Sequence, residues 1–331
     1  MILRIGVIFL AGIFLVFSFY GCDSCGWGPT YPKEKLEESI VRICKNEYKI
    51  DVKVHTVGKT IAIYLPLENL IDFSFALTKD ASEKINNVIL SVSRVVLSTD
   101  AKIDFYCIIA HDIRIPEIQV IIIKSVDDVK RLLLNDISRG EYGKRILIDM
   151  RMNPQSQKER SVKEIFHRMR LDPQWQEQVM NDFFRSDPTM LGDIGYWEGR
   201  FYVKDITKPE FLAEQMASRL KIDFKENKDL SDNFFLKSVK GAYLEKGSER
   251  YFSLEVFAEP RWFEDLESSS LTDKLLQAIL NIAAHVMHVY KFEDFNYIEI
   301  NERRSSRMVR ISKGMLEDYR KKKIKFDEIV R

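Results

Sequence analysis

The sequence predicts an α+β fold built from two similar modules, each an antiparallel sheet with helices packed on one face. Three observations predict it. Short apolar strands come in pairs joined by tight turns, and hairpins make antiparallel neighbours. The helical stretches between them are apolar on one side only, so each has a sheet to cover. The element order α-β-β-α-β-β-α then returns after a shift of 190 residues. Lys84, Ile89, Leu90, Val96, Asp104, Phe105 and Ile108 meet Lys274, Ile279, Leu280, Val286, Asp294, Phe295 and Ile298, seven identities in the 25 positions from 84 to 108. A hairpin loop two residues shorter brings Ile123 onto Ile311.

Taken in order, Lys33 to Asn46 reads as a helix, with Leu36, Ile40, Ile43 and Cys44 at helical spacing. Tyr48, Ile50, Val52 and Val54 alternate with Lys49, Asp51 and Lys53, as in a strand with one wet face. Gly58-Lys59 turns the chain into a second strand, Thr60 to Leu65. Ser82 to Leu97 is an amphipathic helix carrying Ile85, Ile89, Val92 and Val96. Ile103 to Ala110 and Ile118 to Ile123 are apolar, β-branched strands around Pro116. Ser125-Val-Asp-Asp128 has the form of a capping box opening a helix from Val126 to Asp136, and Arg145 to Met152 adds a strand.

The second module repeats the order. Pro209 to Leu220 is a helix, Phe235 to Leu244 and Tyr251 to Phe257 are strands about Lys246-Gly247, and Asp273 to Tyr290 is a helix. Phe295 to Ile300 and Met308 to Ile311 are strands, followed by a helix from Met315 to Lys323. Residues 153–206 connect the modules. There Ser161-Val-Lys-Glu164 reads as a capping box, and Asp172-Pro173 and Asp187-Pro188 as N-caps with Pro at the first helical position. Gly195 to Tyr202 reads as a small hairpin turning at Glu198-Gly199. The expected organisation is a signal segment over 1–21, a lipidated Cys22 and tether over 22–32, modules over 33–152 and 207–331, and a mainly helical connector over 153–206.

The first residues set the address. Arg4 is the only charge before Asp23, and the 17 residues from Ile5 to Gly21 are uncharged and mostly apolar. A basic head, an apolar run and a small residue before a cysteine is the pattern of an export signal. With Phe19-Tyr20-Gly21-Cys22, this stretch resembles the signal and lipobox of bacterial lipoproteins. Gly21 and Cys22 fit that motif, Phe19 replaces its usual Leu, and Tyr20 is bulkier than the common residue. The resemblance implies cleavage before Cys22 and acylation of that residue, with fatty acids such as palmitate. Each buried methylene would contribute about 0.8 kcal/mol to membrane attachment. Asp23 matches the residue that holds enterobacterial lipoproteins at the inner membrane. An uncleaved N-terminal anchor is the alternative, at the short edge of what spans ~30 Å of hydrocarbon. In both readings the body lies outside the cytoplasm.

Composition narrows the partners. Without Arg4 the 51 basic residues become 50, against 50 acidic ones, and a neutral chain does not ask for nucleic acid. After Cys22 the cysteines are 25, 44 and 107, too few for a disulfide framework. Cys44 and Cys107 read as buried thiols, with a helix-to-strand bridge between them as the alternative.

Chemistry-bearing motifs are sparse. No serine elbow, phosphate loop or dinucleotide fingerprint occurs, so no catalytic residue and no cofactor is assigned. His285 and His288 lie about 60° apart on a polar helix face, which suits half of a metal site. Asp104 and Asp294 recur at equivalent strand starts and offer an acid–base pair across a pseudo-twofold axis. Tyr196 and Trp197, in an aromatic hairpin with Phe201 and Tyr202, offer a recognition patch or an interdomain plug. Arg303, Arg304 and Arg307 stand around the last hairpin, in a tail from Arg303 to Arg331 with 11 basic and 4 acidic residues that suits anionic head groups. The expected role is a membrane-anchored envelope lipoprotein that binds or scaffolds a partner protein or envelope polymer. The alternative is an envelope enzyme, metal-assisted, with its site between the modules.

Overall fold

The two α+β modules are present, and each uses its hairpins as the turns dictate. The computed structural model describes residues 29–72, 76–170, 172, 191–261 and 269–329. The signal segment, Cys22, the tether to residue 28 and Asp187-Pro188 lie outside them. The first module runs α1 (Leu36–Tyr48), β1 (Lys53–Val57), β2 (Thr60–Leu67), α2 (Lys79–Val96), β3 (Phe105–Asp112), β4 (Ile118–Ser125) and α3 (Val126–Leu133). Then come α4 (Arg139–Arg145), an edge strand β5 (Leu147–Met152), α5 (Pro154–Met169) and the hairpin β6 (Gly195–Trp197) and β7 (Arg200–Tyr202). The second module runs α6 (Lys208–Glu226), α7 (Lys228–Ser231), β8 (Phe234–Lys246), β9 (Glu249–Pro260), α8 (Ser269–Tyr290), β10 (Tyr297–Glu302), β11 (Arg307–Ser312) and α9 (Lys313–Arg320). A last turn, α10 (Phe326–Ile329), closes the described chain.

The sheets are ordered β1-β2-β3-β4-β5 and β8-β9-β10-β11. Each hairpin pair is antiparallel. The fully antiparallel sheet expected from the sequence gives way at one place in each module. β2 with β3, and β9 with β10, are parallel. The reason is the helix between the hairpins, which carries the chain back to the end where the earlier strand began. The four strands β1 to β4 match β8 to β11 in order and direction, and β5 is an extra edge strand of the first sheet. A shift of 190 takes the start of α2 at Lys79 to Ser269, where α8 begins.

The modules stack, so the middle helices serve two sheets. On one face of the first sheet, Ile61, Ile63, Tyr106, Ile108, Val120 and Ile122 pack with Ile40, Val88 and Val92 of α1 and α2. On its other face Phe105, Cys107, Ile109, Ile121 and Ile123 join one core with α6, α8 and the second sheet. Phe211 of α6 meets Phe105 at 5.0 Å between ring centroids. On its opposite side α6 presses on β8. A Cβ on Gly241 would sit 2.0 Å from the Ala213 carbonyl oxygen, so only glycine fits there. Burial on both faces is why β2, β3 and β4 are almost continuously apolar, whereas β10 and β11 alternate. The identical leucines of the repeat show the same contrast. Leu90 on the outermost helix layer is 58% exposed, and Leu280 in the shared layer is 1% exposed.

Several local expectations change for identifiable reasons. The strand expected from Tyr48 begins at Lys53, because α1 continues to Tyr48 and ends on left-handed Lys49. The helix over Ser161 begins at Pro154, so Ser161-Val-Lys-Glu164 lies inside it and not at its start. Ser125 starts α3 without a side-chain cap, and the Asp128 carboxylate accepts from Arg145 instead of reaching back to close a capping box. Cys44 and Cys107 are free thiols on opposite faces of the first sheet, which excludes the bridge between them. Among the described residues no helix is long and apolar enough to cross a membrane.

Candidate functional site

Among the described residues a groove of about 810 Å³ lies between α8 and the α9–α10 segment. Gln277, Asn281, Ala284, His285 and His288 recur at helical spacing along α8 and form one wall. The opposite wall is made by how α9 ends. Lys322 takes a left-handed conformation (φ 59°), and the amides of Lys322 and Lys323 bond back to the carbonyls of Tyr319 and Asp318. The chain then turns outward until Phe326 and Ile329 anchor it in the core. Tyr319, Arg320, Lys322 and Lys325 line this wall.

The lining is cationic. Lys321 pairs with Glu317 at 3.0 Å and Lys323 with Asp318 at 3.3 Å. Arg320 forms a fork on Glu317, at 2.7 and 3.0 Å. Lys322 and Lys325 make no ion pair among the described residues. Tyr319 donates from its hydroxyl to Asn281 Oδ1 at 2.8 Å, leaving the Asn281 amide nitrogen free to donate. Burial, and then the Arg219 guanidinium, lower the pKa of His285 below the usual imidazole value, so its ring is neutral near pH 7.

His285 and His288, expected as half of a metal site, gather no further ligands among the described residues. The two side chains do share the groove, but among the described residues no three His, Cys, Asp or Glu side chains gather as metal ligands. The carboxylate near His285 is Glu141, 4.0 Å away, and its oxygen already accepts from Arg145 at 2.8 Å and Arg219 at 2.6 Å. Asp327 is the only carboxylate in the lining, among lysines that would repel a cation.

The aromatic hairpin packs against the first sheet through Tyr196. Tyr196 is 6% exposed and stacks on Tyr64 with 3.6 Å between centroids. Its phenol accepts from Lys53 at 2.7 Å, and its carbonyl from Gln119 and Asn153. Tyr202 is buried, Trp197 is half-buried, and Phe201 sets its edge on Tyr196. The hairpin thereby closes the back of the first sheet. The arginines are likewise engaged: Arg303 with Glu255 at 2.8 Å and Arg307 with Asp273 at 2.6 Å. Arg304 donates its backbone amide to buried Glu302, at 2.9 Å. Asp104 and Asp294 each pair with a cation of their own module, Lys59 and Arg250.

Sequence reasoning missed the polar cluster where the modules meet. Asp128 on α3 accepts from Arg145 at 2.7 Å and from the Tyr290 hydroxyl at 2.6 Å, and both Asp128 and Arg145 side chains are 2% exposed. Arg145 also binds Glu141, which binds Arg219 of α6. Partners up to 162 positions apart leave no local signal; the only hint was an aspartate misread as part of a cap. Compared with known proteins, the chain matches no family model, no curated protein and no solved structure at a significant level.

Proposed function

We propose that this chain is a membrane-anchored envelope lipoprotein whose body binds or scaffolds a partner rather than catalysing a reaction. The observation that carries the reading is the run from Met1 to Cys22, with its single Arg4, its apolar stretch and its small residue before the cysteine. In this reading Cys22 holds the acyl chains, and a short tether leads to Tyr31. There the body begins, with the Tyr31 amide bonded to the Ser98 carbonyl at 3.2 Å. A binding role is supported by how the groove groups are held: Tyr319 by Asn281 and Arg320 by Glu317, so both serve as fixed walls. The partner, a protein or an envelope polymer, would meet the body outside the cytoplasm.

Mass spectrometry of the chain extracted from membranes tests the reading. The expected product begins at Cys22 and carries two or three fatty acids, and Cys22→Ser leaves the precursor unprocessed. A chain that starts at Met1, carries no fatty acid and washes off with salt would overturn it.

A further inference from the structure

We propose that the groove between α8 and the α9–α10 segment is a binding site for a phosphate group, on a soluble compound or a lipid headgroup. The proposal goes beyond the membrane assignment and does not depend on it. Four lysines and an arginine follow one another closely from Arg320 to Lys325, yet the fold sorts them. Lys321 and Lys323 are spent on the carboxylates of α9 itself, while Lys322 and Lys325 line the groove with no ion pair among the described residues. His285 and His288 face them across the groove from α8.

The donor set favours a tetrahedral oxyanion over a carboxylate. Planar carboxylates are best met by a bidentate guanidinium, and the nearby one, Arg320, is already locked on Glu317. What remains are compact ammonium charges, imidazole nitrogens and the Asn281 amide, which can surround an oxyanion from several directions. Ala284, Ile324 and Phe326 supply an apolar floor for the organic part of the ligand. At about 810 Å³ the groove has room for a small phosphorylated molecule.

The test uses the full chain in nonionic detergent micelles, observing imidazole signals of its five histidines by NMR. Titration with inorganic phosphate and with glycerol 3-phosphate is expected to shift His285 and His288 saturably, leaving His55 and His111 in place. Acetate at equal concentration is expected to shift neither. K322A/K325A is expected to weaken binding about tenfold or more, the loss of at least one charged hydrogen bond. K321A/K323A removes the same charge from the same segment and is expected to leave the affinity within about twofold. Micelles doped with phosphatidylglycerol separate the sources: the same signals move if a headgroup is the ligand, and move only with soluble phosphates otherwise. No saturable shift with any phosphate probe, equal binding of acetate, or equal loss in the two double variants would each overturn the proposal.

Discussion

Replacing Arg145 with methionine probes the seam between the modules. Arg145 is 2% exposed and bridges two carboxylates, Asp128 at 2.7 Å and Glu141 at 2.8 Å. The substitution keeps an apolar stem but leaves Asp128 buried with one neutral partner, the Tyr290 hydroxyl. Glu141 still has Arg219, so the cost falls mainly on Asp128. Removing one member of a buried ion pair costs about 3–5 kcal/mol. For a chain of this size that lowers the melting temperature by about 6–10 °C. Urea unfolding of the full chain, followed by circular dichroism and tryptophan fluorescence, measures it. Replacing Asp128 with leucine in the same chain removes the stranded charge, so the double variant is expected to recover part of the loss. The acid limb gives a second check. Burial raises the Glu141 pKa, but hydrogen bonds from Arg219 and Arg145 outweigh it and hold the carboxyl below its ordinary 4.5. That stability is present above the unfolded pKa and lost as pH falls through the folded one, so the gap between the two proteins narrows below about pH 4. A loss under about 1 kcal/mol at pH 7 would refute the argument that this cluster holds the seam.

Three further outcomes follow from buried groups. Lys124 is 6% exposed, and burial lowers its pKa from 10.5 to about 8, so the unfolded chain binds the proton more tightly between those values. Lys124→Met is expected to stabilise the protein by about 1–3 kcal/mol at pH 7, a gain that shrinks as pH rises from 8 to 10.5, measured by urea titration at both ends. Gly241→Ala places a Cβ against the Ala213 backbone and is expected to cost about 1–3 kcal/mol in the same assay; an unchanged midpoint would contradict the contact between α6 and β8. Cys44 and Cys107 are expected to resist iodoacetamide in the native protein and to react fully in denaturant without prior reduction, whereas a linked peptide by mass spectrometry would contradict their placement.

What the sequence disclosed was what repeats locally. Hairpins, amphipathic faces and the shift of 190 were legible because each depends on neighbours a few residues apart. The parallel centre of each sheet was not, because it depends on which way a helix returns the chain. Two-sided burial was written in the uninterrupted apolar runs of β2 to β4, yet such runs do not say what covers the second face. Leu90 and Leu280 are identical in the repeat and opposite in burial, so internal similarity alone misleads about packing. The histidines were legible from their spacing, but the lysines opposite them come from a turn about 35 positions later and left no signal near them. Tyr196 was visible as an aromatic, but its place under Lys53 depends on a contact 143 positions away.

The central structural claim is that α6 and α8 serve both sheets, making the two modules one cooperative unit. Hydrogen exchange of the full chain at increasing denaturant tests it most directly, reading amides of β3 in one module and β9 in the other. The account predicts that both sets converge on a single unfolding free energy and slope. Two separate isotherms, with one sheet opening while the other stays protected, would contradict it.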